Sequence, residues 1–269
     1  MLEVKNLSIE FLDRSAPERV LNHFNLRMEP GEIVGLVGES GSGKTMTAQA
    51  IAGLLPGHAV IKSGEIRLNG QDLLRCTSRE LRTLQGNEIA MVFQEPMTSL
   101  NPVMKIGRQV EESLRLHTDL SAAERKERAV KAMLDAELPN PEELYHKYPH
   151  QLSGGMRQRV MIASAIICHP KLLIADEPTT ALDVTIQAQI VRLLQKINRK
   201  YETAILFISH DLGLVRKLCS RVIVLCDGDM IEEGSMEEIF RNPKQDYTRQ
   251  LIASVPSRTG IPLRRQLHD

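Results

Sequence analysis

Ile33-Val34-Gly35-Leu36-Val37 runs directly into Gly38-Glu39-Ser40-Gly41-Ser42-Gly43-Lys44-Thr45. An apolar run of strand length meets an octet of the form GxxxxGK[ST], and helix-forming residues follow. The glycines let successive backbone N–H groups curl around a phosphate, and the helix behind them points its positive end at the same place. Lys44 suits β- and γ-phosphate oxygens, and Thr45 suits Mg²⁺. In a chain of this length a chance match is about a one-in-a-hundred event. The stretch therefore predicts a nucleotide-binding α/β fold.

The rest of the chain agrees. Short apolar runs recur at Ile89–Phe93, Leu172–Ala175, Ile205–Ile208 and Val222–Leu225. Continuous runs of this length fit strands buried on both faces of a parallel sheet. Helical patterns at Val184–Arg199 and Leu212–Leu218 lie between several of them, which is the alternation of an α/β protein. The start differs. Leu2–Leu12, Val20–Met28 and Glu65–Leu68 read as antiparallel strands, with turns at Glu29-Pro30-Gly31 and Asn69-Gly70. From about Glu95 to Ala165 the pattern is polar and helical, over Val103–His117 and Ser121–Glu137, and Ser121 with Glu124 forms a capping box. This predicts a helical lobe inserted into the α/β core. Arg241–Asp269 reads as a short helix and an irregular tail.

In open α/β sheets ligands sit beyond the carboxyl ends of strands. The run Ile89–Phe93 leads into Gln94, Leu172–Ala175 into Asp176-Glu177, and Ile205–Ser209 into His210. An acid at such a strand end holds Mg²⁺ in P-loop enzymes, and Glu177 beside it could take a proton from an attacking water. On their own the two acids could equally cap the following turn. Likewise, a lone His210 before a helix N-cap at Asp211 could be structural. Leu152-Ser153-Gly154-Gly155-Met156 opens a helix predicted to run to about Ile167. Its serine and glycines form a second anion site. Two such sites on a chain that binds one nucleotide imply that the second completes the pocket of another copy or a homologue.

Composition excludes several classes. Lys+Arg and Asp+Glu are both 34, so the basic excess of a nucleic-acid binder is missing. Aromatic residues are 3% with no Trp, so a carbohydrate platform or an extended base-stacking surface is not expected. Cys76, Cys168, Cys219 and Cys226 form no CxxC pair, so a disulfide scaffold or zinc ribbon is not expected and the thiols fit a reducing cytoplasm. MLEVKNLSIEF lacks the pattern of a signal peptide. No apolar run approaches the roughly 20 residues of a membrane helix, so a membrane role would come through a partner.

Taken together these motifs resemble the ATP-binding subunits of ABC transporters, from about residue 2 to 256. Gly38–Thr45 is similar to Walker A, Gln94 to the Q-loop, Leu152–Met156 to the ABC signature, Leu172–Glu177 to Walker B, Ala181-Leu182-Asp183 to the D-loop, and His210 to the switch histidine. The usual signature ends in Gln; here Met156 stands in its place, while the serine and both glycines remain. The resemblance implies a P-loop NTPase (RecA-like) ABC ATPase core over 1–94 and 166–240. It adds an antiparallel β subdomain, a helical subdomain over 95–165, and a C-terminal helix and tail over 241–269. It implies ATP contacts from Gly38, Glu39, Ser40, Gly41, Ser42, Gly43, Lys44, Thr45 and Thr47, and Mg²⁺ ligands at Thr45, Gln94 and Asp176. Phe11 sits where the family places an aromatic that stacks on adenine; its other reading is a core residue of the first strand.

By the same resemblance two subunits close head to tail over two ATP molecules. One supplies Lys44, Thr45, Gln94, Asp176, Glu177 and His210, and the other supplies Ser153, Gly154 and Gly155. Glu177 would polarise water and His210 would sense the γ-phosphate. A closer likeness is to the peptide and nickel importer subfamily, through GESGSGKT, Gln94–Pro102, Asp176–Val184, Tyr247-Thr248, Leu251 and Val255-Pro256. It implies a partner ATPase, two integral-membrane permeases, an extracytoplasmic binding protein, no nucleic acid, and a peripheral place on the cytoplasmic face of the membrane. Val103–Val110 is then either a permease-docking surface or a solvated helix. The absence of Cys after Cys226 leaves out the iron–sulfur cluster of many peptide-type members and tilts toward nickel or a metallophore, with a short-tailed peptide system comparable. The alternative is a non-transport ABC ATPase such as a phosphonate-degradation subunit.

Overall fold

The computed structural model describes residues 1–12 and 18–255. Pro256 and the tail expected beyond it lie outside the described residues. The strands are β1 (Leu2–Phe11), β2 (Glu18–Met28), β3 (Ile33–Val37), β4 (Ala59–Leu68), β5 (Gln71–Asp72), β6 (Ile89–Val92), β7 (Leu172–Asp176), β8 (Ala204–Ser209), β9 (Arg221–Cys226) and β10 (Asp229–Ser235). The helices of the first half are α1 (Lys44–Ala52), α2 (Ser78–Leu84), α3 (Pro96–Ser99), α4 (Ile106–Val110), α5 (Glu112–His117) and α6 (Ala122–Asp135). Those of the second are α7 (Pro141–Leu144), α8 (Gly154–Ile166), α9 (Val184–Tyr201), α10 (Leu212–Leu218), α11 (Met236–Arg241) and α12 (Asp246–Ala253). The chain divides into two compact units, Met1–Arg75 with Leu206–Asp269, and Cys76–Ile205.

In the first unit β1 pairs antiparallel with β2 and β4, and β4 turns into β5. The turn is Asn69-Gly70 with φ of 50° and 86°, the primed geometry whose twist matches a two-residue hairpin. β2 meets β10 in parallel at Asn22 and Asp229, where Asn22 Nδ2 donates to Asp229 Oδ1 at 2.7 Å. β10 returns antiparallel to β9, and β9 runs parallel to β3. The antiparallel start and the buried β3 and β9 are as the sequence predicts. β10 was not expected: Asp229–Ser235 has no apolar run, because it is half-exposed along most of its length and only Glu232 is buried. α10 packs on β3 so closely that a Cβ on Gly35 would lie 2.4 Å from Val215 Cγ1.

In the second unit β6 and β7 pair in parallel from Ile89 opposite Leu172 to Val92 opposite Ala175. All five residues of β7 are buried, and each large aliphatic side chain there contributes roughly 1.5–3 kcal/mol of burial. The helices cluster on α8, which packs against α3, α4, α6 and β6. The Ser121–Glu124 capping box opens α6 as read from the sequence.

The single helix expected over Val103–His117 is a correction. Helix begins only at Ile106, and Glu111 separates α4 from α5. Glu111 is 1% exposed; its carboxylate accepts from Tyr145 Oη at 2.9 Å and Arg108 Nη1 at 2.8 Å. Tyr145, 34 positions away, thus meets this residue inside the unit, which a local helical pattern does not reveal. Val103 is 82% exposed and lies before the helix. Burial and the hydrogen bond to Glu111 push the Tyr145 phenol up to about 12.

The Tyr145 ring lies over Gly107, where an added Cβ would sit 2.1–2.3 Å from ring carbons. Gly107→Ala is expected to lower stability by about 1–3 kcal/mol through this overpacking. Urea unfolding followed by far-UV circular dichroism measures it, and an unchanged midpoint would contradict the packing described.

Candidate functional site

The phosphate loop follows β3 in the first unit. Its glycines are dictated by close approach. A Cβ on Gly38 would lie 2.1 Å from Leu225 O, and one on Gly43 would lie 2.7 Å from Val20 O. Gly43 also has a left-handed φ of 100°. Lys44 is 5% exposed, and its Nζ donates to Gly38 O at 3.0 Å and Glu39 O at 2.7 Å. The ammonium is thus held in the loop's hollow. Thr45, Glu39, Ser40 and Gly41 are exposed at the loop surface, while Ser42 and Gly43 are buried. Thr47 is fully buried, and its Oγ1 donates to Gly43 O at 3.0 Å. Its side chain serves the first turn of α1.

In the same unit His210 is exposed at the end of β8, and Asp211 caps α10 by accepting from Gly213 N at 2.8 Å and Leu214 N at 3.2 Å. Phe11 is half-buried at the end of β1, with its ring 5.0 Å from that of His58 at a 46° tilt. That ring is therefore partly available as an apolar surface.

In the second unit the parallel β6 and β7 bring Gln94 and Glu177 together. Gln94 Nε2 donates to Glu177 Oε2 at 3.1 Å, and Thr180 Oγ1 donates to the same oxygen at 2.8 Å. Glu177 has a left-handed φ of 45°. For a residue with a Cβ such a conformation costs about 1–3 kcal/mol and is typical of functional turns. Asp176 is 2% exposed at the last position of β7. Thr180 was missed by the sequence reading; its position three residues after Glu177, on the turn leaving β7, was the available signal.

The signature segment opens α8 as expected. Ser153 is the N-cap, with Oγ accepting from Met156 N at 3.3 Å. Ser153 and Gly154 are exposed. A Cβ on Gly155 would lie 3.1 Å from Ile186 Cγ2, and one on Gly154 would lie 3.9 Å from Leu182 Cδ2. The helix start therefore abuts the 181–183 turn, where Asp183 caps α9 through Ile186 N at 3.0 Å. Arg159, inside α8, donates to Ala136 O, Glu137 Oε2 and Gln189 Oε1 at 3.0–3.1 Å. These bonds hold the helix in its unit.

One chain thus carries a glycine loop that encloses a lysine and a second, serine-capped glycine helix start. Residues 21–180 match the ABC transporter family. The chain belongs to that family and is an ABC-type ATPase. It is 46% identical over 256 residues to the dipeptide transport ATP-binding protein DppD of Escherichia coli (strain K12), covering 95% of this chain and 78% of that protein. Against the oligopeptide transport ATP-binding protein OppD of Bacillus subtilis (strain 168), identity is 47% over 258 residues, 96% of this chain and 72% of that one. The peptidoglycan transport ATP-binding protein YejF of Agrobacterium fabrum (strain C58 / ATCC 33970) is 49% identical over 257 residues, 95% of this chain and 47% of that protein. The chain thus spans about half the length of the last relative and about three quarters of the other two. A solved dimeric ATP-binding cassette in a post-hydrolysis state, bound to ADP and Pi, superposes with a TM-score of 0.79 at 30% identity, over 88% of this chain and 99% of that chain.

Thr180→Val removes a donor that orients Glu177. ATP hydrolysis is expected to fall roughly three- to tenfold, the weight of one such bond, with melting of the unliganded protein little changed. Steady-state phosphate release decides this, and wild-type turnover would show that Thr180 does not orient the acid.

Proposed function

We propose that this chain hydrolyses ATP to power an ABC importer for peptides, working as a head-to-tail dimer with itself or a paired ATPase. The observation that carries the reading is the exposed, capped start of α8 at Ser153-Gly154, on a chain that already has a phosphate loop. Such a surface has a use when it closes over a nucleotide held by a second subunit. The names of the relatives support peptides as cargo and favour transport over a non-transport role.

In this reading the loop 38–45 wraps the phosphates and Lys44 turns its ammonium to the β- and γ-oxygens. Phe11 packs on the base. Mg²⁺ prefers oxygen ligands and keeps several waters; the Thr45 hydroxyl, the Gln94 amide and the Asp176 carboxylate match that preference. Bound there, the ion would offset charge developing on the transferred phosphoryl group. Glu177, oriented by Gln94 and Thr180, draws a proton from the attacking water. His210 reports the γ-phosphate, and the partner's signature serine and glycines add N–H donors from the other side. Among the described residues no helix is long and apolar enough to cross a membrane. The membrane passage belongs to two permease subunits, fed by an extracytoplasmic binding protein. The chain docks on them peripherally at the cytoplasmic face, with exposed Val103 near the contact.

Lys44→Ala is expected to weaken ATP binding. Glu177→Gln should still bind ATP and accumulate as a closed dimer, while hydrolysis drops about 10²- to 10⁴-fold. Gel filtration with ATP and phosphate release test both, and retained turnover in Glu177→Gln would remove the general base from this scheme. Ser153→Arg should abolish hydrolysis by the dimer without affecting nucleotide binding by the monomer. Uptake of short peptides, set against nickel, by vesicles holding the chain with its permeases and binding protein tests the cargo.

A further inference from the structure

The phosphate loop is gripped from outside by the last described helix. Glu39 N donates to Tyr247 Oη at 2.8 Å, across 208 positions of sequence. Gly38 C=O and Glu39 N–H belong to one peptide unit, and in a trans peptide they point to opposite sides. Tyr247 therefore holds one side of a plane whose other side accepts Lys44 Nζ at 3.0 Å. That plane needs holding. Gly38 must be glycine because of its approach to Leu225 O, and glycine restrains rotation of the following peptide less than any other residue.

Tyr247 is itself anchored. Glu232 on β10 is 8% exposed; its Oε1 accepts from Lys244 N at 2.8 Å and its Oε2 from Gln245 N at 3.1 Å, at the start of α12. Burial alone would raise the Glu232 carboxyl, yet the Lys244 and Gln245 amides help to hold it below its ordinary value. At the far end of the helix Val255 Cγ1 lies 3.3 Å from where a Cβ on Gly213 would stand, three residues after His210. Residues 246–255 thus reach from the phosphate loop to the helix behind His210.

We propose that Tyr247 is a positioning residue for ATP binding, acting through the Gly38–Glu39 peptide on Lys44, with Glu232 as the anchor of the helix that carries it. This rests on the nucleotide-binding reading above. In the full chain, Tyr247→Phe should raise the Kd of a fluorescent ATP analogue roughly three- to tenfold, as loss of one hydrogen bond implies. Glu232→Gln should act in the same direction. Because the effect runs through Lys44, Tyr247→Phe should change the Kd less than twofold when Lys44 is already alanine. A general loosening of structure would add to the Lys44→Ala loss instead. Melting of the unliganded variants confirms folding. Wild-type affinity in folded Tyr247→Phe or in folded Glu232→Gln, or additivity with Lys44→Ala, overturns the proposal. Failure of the wild-type chain to bind the analogue strikes the nucleotide-binding reading itself and is read separately.

Discussion

The buried ammonium of Lys44 sets the terms for the rest of its unit. A charge taken from water must be met by oriented dipoles or it costs several kcal/mol. Two carbonyls of the loop, Gly38 O and Glu39 O, meet it here. For them to converge, the loop must press against backbone atoms of Leu225 and Val20, and only glycine fits at positions 38 and 43. The geometry of the loop therefore depends on β9 and β2 as much as on β3. This gives the antiparallel strands a part in the site, although none of the GxxxxGK[ST] residues lies on them.

The second unit holds the Glu177 carboxylate in place. Glu177 occupies a left-handed turn. The cost of about 1–3 kcal/mol is comparable to the two side-chain hydrogen bonds from Gln94 and Thr180, each contributing about 1 kcal/mol. The acid is held in one orientation without large net stabilisation. The signature helix is similarly arranged: Ser153 satisfies the helix start, and Arg159 ties its body to Ala136, Glu137 and Gln189. In both places packing and hydrogen bonding fix a group at the end of a rigid element, Glu177 half-buried and Ser153 exposed, which is what precise positioning requires.

Much of this was readable from residue order. β3 has the predicted bounds, and β6, β7, β8 and β9 match within a residue or two, because buried parallel strands are continuous apolar runs. The caps at Ser121 and Asp211 followed from local hydrogen-bonding chemistry, which operates within three residues. β10 escaped because a half-exposed strand carrying Asp, Glu and Gly has no such run. The break at Glu111 escaped because its cause, Tyr145, is 34 positions away.

The division between the two kinds of knowledge follows interaction range. Residue order determined the phosphate loop, the acidic strand end, the capped glycine helix and hence the family, since each is a short segment whose chemistry is carried by adjacent residues. Tertiary structure alone decided that Thr180 and Gln94 share an oxygen of Glu177, that Leu225 and Val20 force the glycines, and that Tyr247 reaches Glu39. Apart from the Thr180–Glu177 bond, these contacts join segments remote in the chain, and no local pattern of residues encodes where folding brings such segments together.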